Sequence, residues 1–259
     1  MHPDDWPDAS RLDAPLSEEE PTADRGDSSA PLRGTLSRRQ MLAGLGGTAV
    51  VGAGLGSLPV ADSVAATASG QVGIAPVGRN ASGLVGRIDQ NGGSFLGYGF
   101  FTLISGLSQA KLFSNQGNPL SESTAHFTFY GTASLVQRSV MDNRVFVIDV
   151  GGTLGYYYQV SPSASFNDPA SFARGMRVAT SEFKLQDVLS TIAANEGVVA
   201  LEGPVRQLSS RPFRHQGRLL RLGRRNLQTQ LVATGRGTRT EPTTPVVRLS
   251  IAGSQVVTS

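Results

Sequence analysis

The chain has 259 residues, no cysteine, 39% hydrophobic residues and a formal net charge of +3. The missing thiols exclude disulfides, thiolate metal sites, iron–sulfur clusters and cysteine nucleophiles, so the fold must be held by packing and hydrogen bonding alone. The net charge conceals a division: the leader is acidic, whereas Ser69 to Ser259 carries about +8, a balance that favours anionic partners through long-range attraction.

Residues 1–36 hold Asp4, Asp5, Asp8, Asp13, Glu18, Glu19, Glu20, Asp24 and Asp27 against Arg11, Arg25 and Arg33. With many Pro, Ser and Asp residues and no apolar periodicity, this stretch cannot bury enough surface to offset its ordering entropy, and a disordered leader is expected. Next come Ser37-Arg38-Arg39-Gln40-Met41-Leu42 and an apolar run from Ala43 to Ala61. The run is diluted by Gly44, Gly46, Gly47, Gly52, Gly54 and Gly56 and stopped by Pro59.

Residues 37–68 resemble a twin-arginine (Tat) secretory signal, whose pattern is Ser/Thr-Arg-Arg-x-Phe-Leu-Lys; Ser37, Arg38, Arg39 and Leu42 match it, while Met41 and Ala43 depart from it. Ala66-Thr67-Ala68 reads as the cleavage site, with Val64-Ala65-Ala66 as the neighbouring choice. The resemblance implies engagement of the twin-arginine translocase and export of an already folded domain to the periplasm, cell wall or exterior. An uncleaved signal acting as an anchor is the alternative. About 20 residues suffice to span a bilayer, but few of those here are the Leu, Ile, Phe and Val that drive insertion.

The remainder, 69–259, is the size of one domain. Gly70 to Gly83 has no periodicity and reads as a linker. A short strand over Leu84–Ile88 then leads through the turn Asp89-Gln90-Asn91-Gly92-Gly93 into Phe95–Ile104. His126–Val140 and Arg144–Val150 form the clearest hairpin, joined at Met141-Asp142-Asn143 and interrupted afterwards by Gly151-Gly152 before Leu154–Val160. In the first arm Phe127, Phe129, Gly131, Ala133, Leu135 and Gln137 share one face.

Asp168-Pro169 opens a helical turn ending near Gly175, and Met176–Phe183 reads as a strand. Leu185, Val188, Leu189 and Ile192 repeat at helical spacing before Gly197 and predict a second helix. Strands follow at Val198–Gln207, Arg218–Leu222, Leu227–Thr234 and Val246–Ile251, with another at Gln255–Val257. Eight to ten strands with one or two short helices, and no regular helical crossovers, predict a mainly β domain: a single antiparallel β-barrel or sandwich.

The chain has no G-x-S-x-G elbow and no H-E-x-x-H pair, and no cofactor or metal is expected. Two groups are weak catalytic candidates. His126 opens a strand, where a histidine is more often packed than catalytic. Asp149 shares a face with Val145 and Val147, where a carboxylate must be paired or functional; Arg138 or Arg177 would be the pairing partner. Glu182 and Glu202 have weaker standing, and no spacing in sequence can establish a glycosidase-type carboxylate pair. His215 lies among arginines, which suits an anion contact better than a base. Tyr156, Tyr157 and Tyr158, with Tyr98 and Phe101, either line a pocket or simply alternate in and out of a strand.

No acidic residue occurs between Glu202 and Glu241, while Arg211, Arg214, Arg218, Arg221, Arg224 and Arg225 cluster there. Guanidinium forks suit phosphate, sulfate or carboxylate. The partner expected outside the cytoplasm is an anionic envelope polymer, a lipid head group or a small apolar ligand, and not nucleic acid. The leading expectation is a non-enzymatic exported barrel or sandwich binding such a component. A small exported hydrolase or isomerase with a pocket carboxylate or histidine, and a purely structural surface protein, are the alternatives.

Overall fold

The computed structural model describes residues 70–114, 120–141, 144–239 and 246–259. The acidic leader, the twin-arginine stretch with Arg38 and Arg39, the cleavage sites and the turn residues Asp142 and Asn143 lie outside the described residues. The strands in chain order are β1 (Gly70–Val72), β2 (Asn80–Asn91), β3 (Ser94–Ile104), β4 (Phe127–Met141), β5 (Val145–Tyr158), β6 (Met176–Ala193), β7 (Glu196–Ser210), β8 (Pro212–His215), β9 (Arg218–Leu222), β10 (Gln228–Arg239) and β11 (Val246–Val257). Eight of them close into an antiparallel barrel in the order β10-β11-β2-β3-β4-β5-β6-β7, and β1-β9-β8 form a separate small sheet. The fold is therefore a barrel and not a sandwich.

Two alternating faces explain the closure. Every second residue of β7, from Gly197 through Val199, Leu201, Gly203 and Val205 to Gln207, is buried, and its neighbours are exposed. Strand β5 buries Phe146, Ile148 and Val150 on one face and, farther along, Tyr156 and Tyr158. Inward aliphatic and aromatic side chains fill the lumen, and closure gives every barrel strand a neighbour on both sides.

Glycines make room where two walls approach. A methyl group on Gly99 would lie 2.2 Å from the Val85 carbonyl oxygen and 2.6 Å from the Phe129 ring, and one on Gly86 would lie 2.7 Å from that ring. The Phe129 ring thus sits where β2 and β3 carry no side chain.

The small sheet closes one end of the barrel. Val72 of β1, Phe213 of β8 and Leu220 and Leu222 of β9 belong to the same core cluster as the barrel residues. The Gln207 side chain and the Ser210 hydroxyl both donate to the Leu222 carbonyl, at 2.8 and 2.9 Å. On the outer wall a strap between β5 and β6 covers Tyr98, which is fully buried against Phe166 and Phe172. Its hydroxyl donates to Asp89 at 2.8 Å, and burial together with that carboxylate pushes its pKa up to about 12.

Several expectations are corrected. The helix predicted over Leu185–Ile192 is the second half of β6, and Gly197 is an inward residue of β7 packed against Leu189, not a helix cap. The β6–β7 turn is made by Asn195 at φ 61°, a left-handed conformation that Asn tolerates. Gly70 to Gly83 is not a linker, since it contains β1 and the start of β2. Gly151-Gly152 do not interrupt β5, whose ladder to β4 runs through Thr132–Thr153 and Ala133–Gly152. The turn at Pro169–Ala173 exists as a 3-10 helix, although Asp168 ion-pairs with Arg174 instead of capping it. Strand β8, the short helix α1 (Gln109–Leu112) and a 3-10 turn at Glu122–Thr124 have no counterpart in the predicted elements.

Candidate functional site

The barrel interior differs between its two ends. Beneath the small sheet the lining is polar: the Ser82 hydroxyl donates to Gln255 Oε1 at 3.1 Å, and Gln255 Nε2 donates to the Tyr156 hydroxyl at 3.2 Å. Burial raises the Tyr156 pKa, opposed by its hydrogen bonds with Ser181 and Gln255. The cavity there measures about 30 Å³, room for one or two waters.

The other cavity is apolar and measures about 60 Å³. Ile88, Phe95, Val150, Leu185, Leu201 and Leu249 contribute to its wall, together with Gly97, whose missing side chain leaves the nearest atom, Ile88 Cγ1, 4.0 Å from where a Cβ would be. One carboxyl group stands in this lining. Asp187 of β6 pairs across the ladder with Ile148 of β5 and Leu201 of β7, both buried, so its side chain turns inward with theirs.

Asp187 is 6% exposed, and its Oδ1 is buried with no hydrogen-bond partner. Burial alone pushes its pKa up to about 7. Among the described residues no cation or hydrogen-bond donor meets this carboxyl, so burial favours its neutral, protonated form. A lone carboxyl in an apolar cavity, able to give or take a proton near pH 7, is the chemically most capable group in the described barrel.

The predicted carboxylates lie elsewhere. Asp149 is on the outer wall, since Phe146, Ile148 and Val150 take the inner face of β5, and it accepts a hydrogen bond from Gln186 Nε2 at 3.0 Å. Its pairing partner is this glutamine and neither Arg138 nor Arg177. Glu182 is ion-paired with Arg206 at 2.6 Å, and Glu202 is exposed. The signal for Asp187 is present in the period-2 pattern Leu185-Gln186-Asp187-Val188-Leu189, and the helical assignment hides it.

The histidines meet at the closed end. His126 precedes β4, with Nδ1 2.8 Å from the Gln159 carbonyl oxygen, and its ring lies 5.4 Å from that of His215. His215 is 2% exposed, packed against the Phe127 and Tyr158 rings, with Nδ1 3.0 Å from the Tyr158 hydroxyl. It is a core residue and makes no surface anion contact. Burial lowers its pKa, and the charges of His126 and Lys111 lower it further against an opposing Lys111 backbone contact. Tyr156 and Tyr158 face inward with Phe101, whereas Tyr98 is on the outer wall.

Strands β8 and β9 carry Arg214, Arg218 and Arg221, with Arg211 just before them and Arg224 and Arg225 just after. Five are exposed; Arg221 is half-buried and donates to the Ser210 carbonyl at 3.2 Å. None of the six makes a carboxylate ion pair among the described residues. Nor do three or more His, Asp or Glu residues gather there as a metal site. No protein family, curated protein or solved structure matches this chain.

Proposed function

We propose that this chain is an exported barrel that takes the apolar part of a small ligand into its interior and hydrogen-bonds it through Asp187. The observation carrying this reading is the Asp187 carboxyl, whose Oδ1 is buried beside an apolar cavity without a partner. An unmet buried polar atom costs about 1–3 kcal/mol, which an incoming hydroxyl, carbonyl or ether oxygen facing the neutral acid would recover. The twin-arginine resemblance supports action beyond the cytoplasmic membrane, reached through the translocase, on a component of the cell envelope. A purely structural surface protein would have no use for this cavity and its carboxyl.

Gly97→Leu tests the pocket. Its side chain would occupy the space now left by Gly97, and ligand-induced shifts of the Leu201 and Leu249 methyl resonances in the full chain should vanish. Shifts that persist unchanged would place the ligand elsewhere.

A second reading, an isomerase, is favoured by the place of the Asp187 carboxyl in the apolar lining, where burial raises its pKa and its Oδ1 has no partner. The carboxylate would take a proton from one carbon of the ligand and, as the acid, return it to another, which leaves the side chain regenerated and the ligand's composition unchanged. This assigns to Asp187 the role that the sequence suggested for Asp149.

The six arginines around β8 and β9 support a separate contact with an acidic envelope polymer or lipid head group. Binding of a polyanion to the full chain should weaken steeply between low and high salt, because exposed charges are screened beyond about 8–10 Å. Affinity indifferent to salt would remove this surface from the functional account.

A further inference from the structure

Strand β4 contains one residue more than its partner needs. Its ladder to β5 shifts between Leu135 and Gln137, skipping Val136, so that Gln137 pairs with Asp149 on the outer wall and Arg138 pairs with Ile148 on the inner one. A bulge of this kind reverses which side chains face in. Ile148 pairs in turn with Asp187, so Arg138, Ile148 and Asp187 form one cross-strand row on the inner wall. Two strand spacings separate the outer members, about 10 Å.

The Arg138 guanidinium lies 4.8 Å from the centroid of the Phe146 ring, which is 2% exposed. No described carboxylate pairs with it. A half-buried cation held only by an aromatic face retains most of its hydrogen-bonding capacity for an anion. Asp187 is the only titratable side chain among the residues that line the apolar cavity.

We propose that the barrel's ligand is a small amphiphilic acid, its carboxylate received by Arg138 on the inner wall and its short apolar tail lying in the cavity beside Asp187. The proposal rests on the ligand-binding reading of that cavity and adds the chemical class of the occupant. The cavity's size limits the tail: about 60 Å³ is well below the roughly 150 Å³ of an engineered cavity that accepts benzene. A branched tip of a few carbons fits better than a ring.

The test compares isocaproate with isohexanol, which share a carbon skeleton and differ at the head. Methyl resonances of the full chain are followed at about pH 6, where Asp187 is mostly protonated. Wild type, Arg138→Gln and Gly97→Leu are titrated with each. Isocaproate is expected to bind wild type about tenfold more tightly than isohexanol, as a charge-assisted contact would give. Arg138→Gln should erase that preference while leaving isohexanol binding intact, which also shows that the variant is folded.

Equal binding of the two probes to wild type, with both lost in Gly97→Leu, would overturn the role of Arg138 and leave the pocket standing. A preference for the acid that survives in Arg138→Gln would also overturn it and direct attention to the β8–β9 arginines. If neither probe binds wild type, or Gly97→Leu changes nothing, the pocket reading fails and this inference with it.

Discussion

Asp187→Asn should make the protein more stable at about pH 8, by on the order of a few kcal/mol, and leave it nearly unchanged at about pH 4. The folded-state value of the carboxyl, about 7, lies above its ordinary 3.8. Between those values the unfolded chain releases the proton and the folded chain keeps it, so stability falls as pH rises through the window. Above it the folded state carries an unpaired buried anion. Asparagine has the shape of the neutral acid and never ionises. Denaturant titration at the two pH values measures the difference, and an unchanged pH slope in the variant would mean that Asp187 is not buried as described. The same variant separates binding from catalysis: its amide still offers a donor and an acceptor, so ligand uptake survives, whereas proton transfer is lost.

Gly99→Ala should be a severely damaging single-methyl change in the barrel wall, costing more than the roughly 1–3 kcal/mol usual for overpacking. Its new carbon would sit 2.2 Å from the Val85 carbonyl oxygen, a backbone atom held in the β2–β3 ladder, as well as 2.6 Å from the Phe129 ring. Phe129→Ala alone should cost about 3–5 kcal/mol through lost packing and the cavity left behind. Combining the two should give no rescue, because removing the ring leaves the clash with the backbone in place. A double variant as stable as Phe129→Ala would show that β2 can move aside. Thermal unfolding of the three variants decides the matter.

The mainly β class was legible because most strands announce themselves, whereas barrel and sandwich both remained open. Phe127, Phe129, Gly131, Ala133 and Leu135 do face inward together, and β-branched or aromatic runs mark β3, β4, β5 and β7. Chain closure was not legible, since pairing between β11 and β2 joins segments far apart in sequence. The candidate site was obscured by two local effects. In β6, Leu185, Val188, Leu189 and Ile192 fit both a helix and a strand that is inward at Leu185 and Leu189 and more exposed at the others; the strand assignment alone puts Asp187 inside. In β4, the extra residue at Val136 shifts the phase, so strict alternation from Phe127 places Gln137 inside and Arg138 outside, the reverse of what is found. For Asp149, its aliphatic neighbours Val145 and Val147 mimic a core face although they are only half-buried on the outer wall.

The seam between β11 and β2 has a kinetic meaning. Arg248 and Asp89 meet across it at 3.1 Å although 159 positions separate them along the chain. Leu249, one residue on, supplies part of the apolar lining. Contacts this remote in sequence form slowly, because a long loop must close before they return any energy. A nascent chain therefore has neither a completed cylinder nor a working cavity until its last barrel strand emerges, and until then it exposes two raw edges to any chaperone or neighbour that reaches them first.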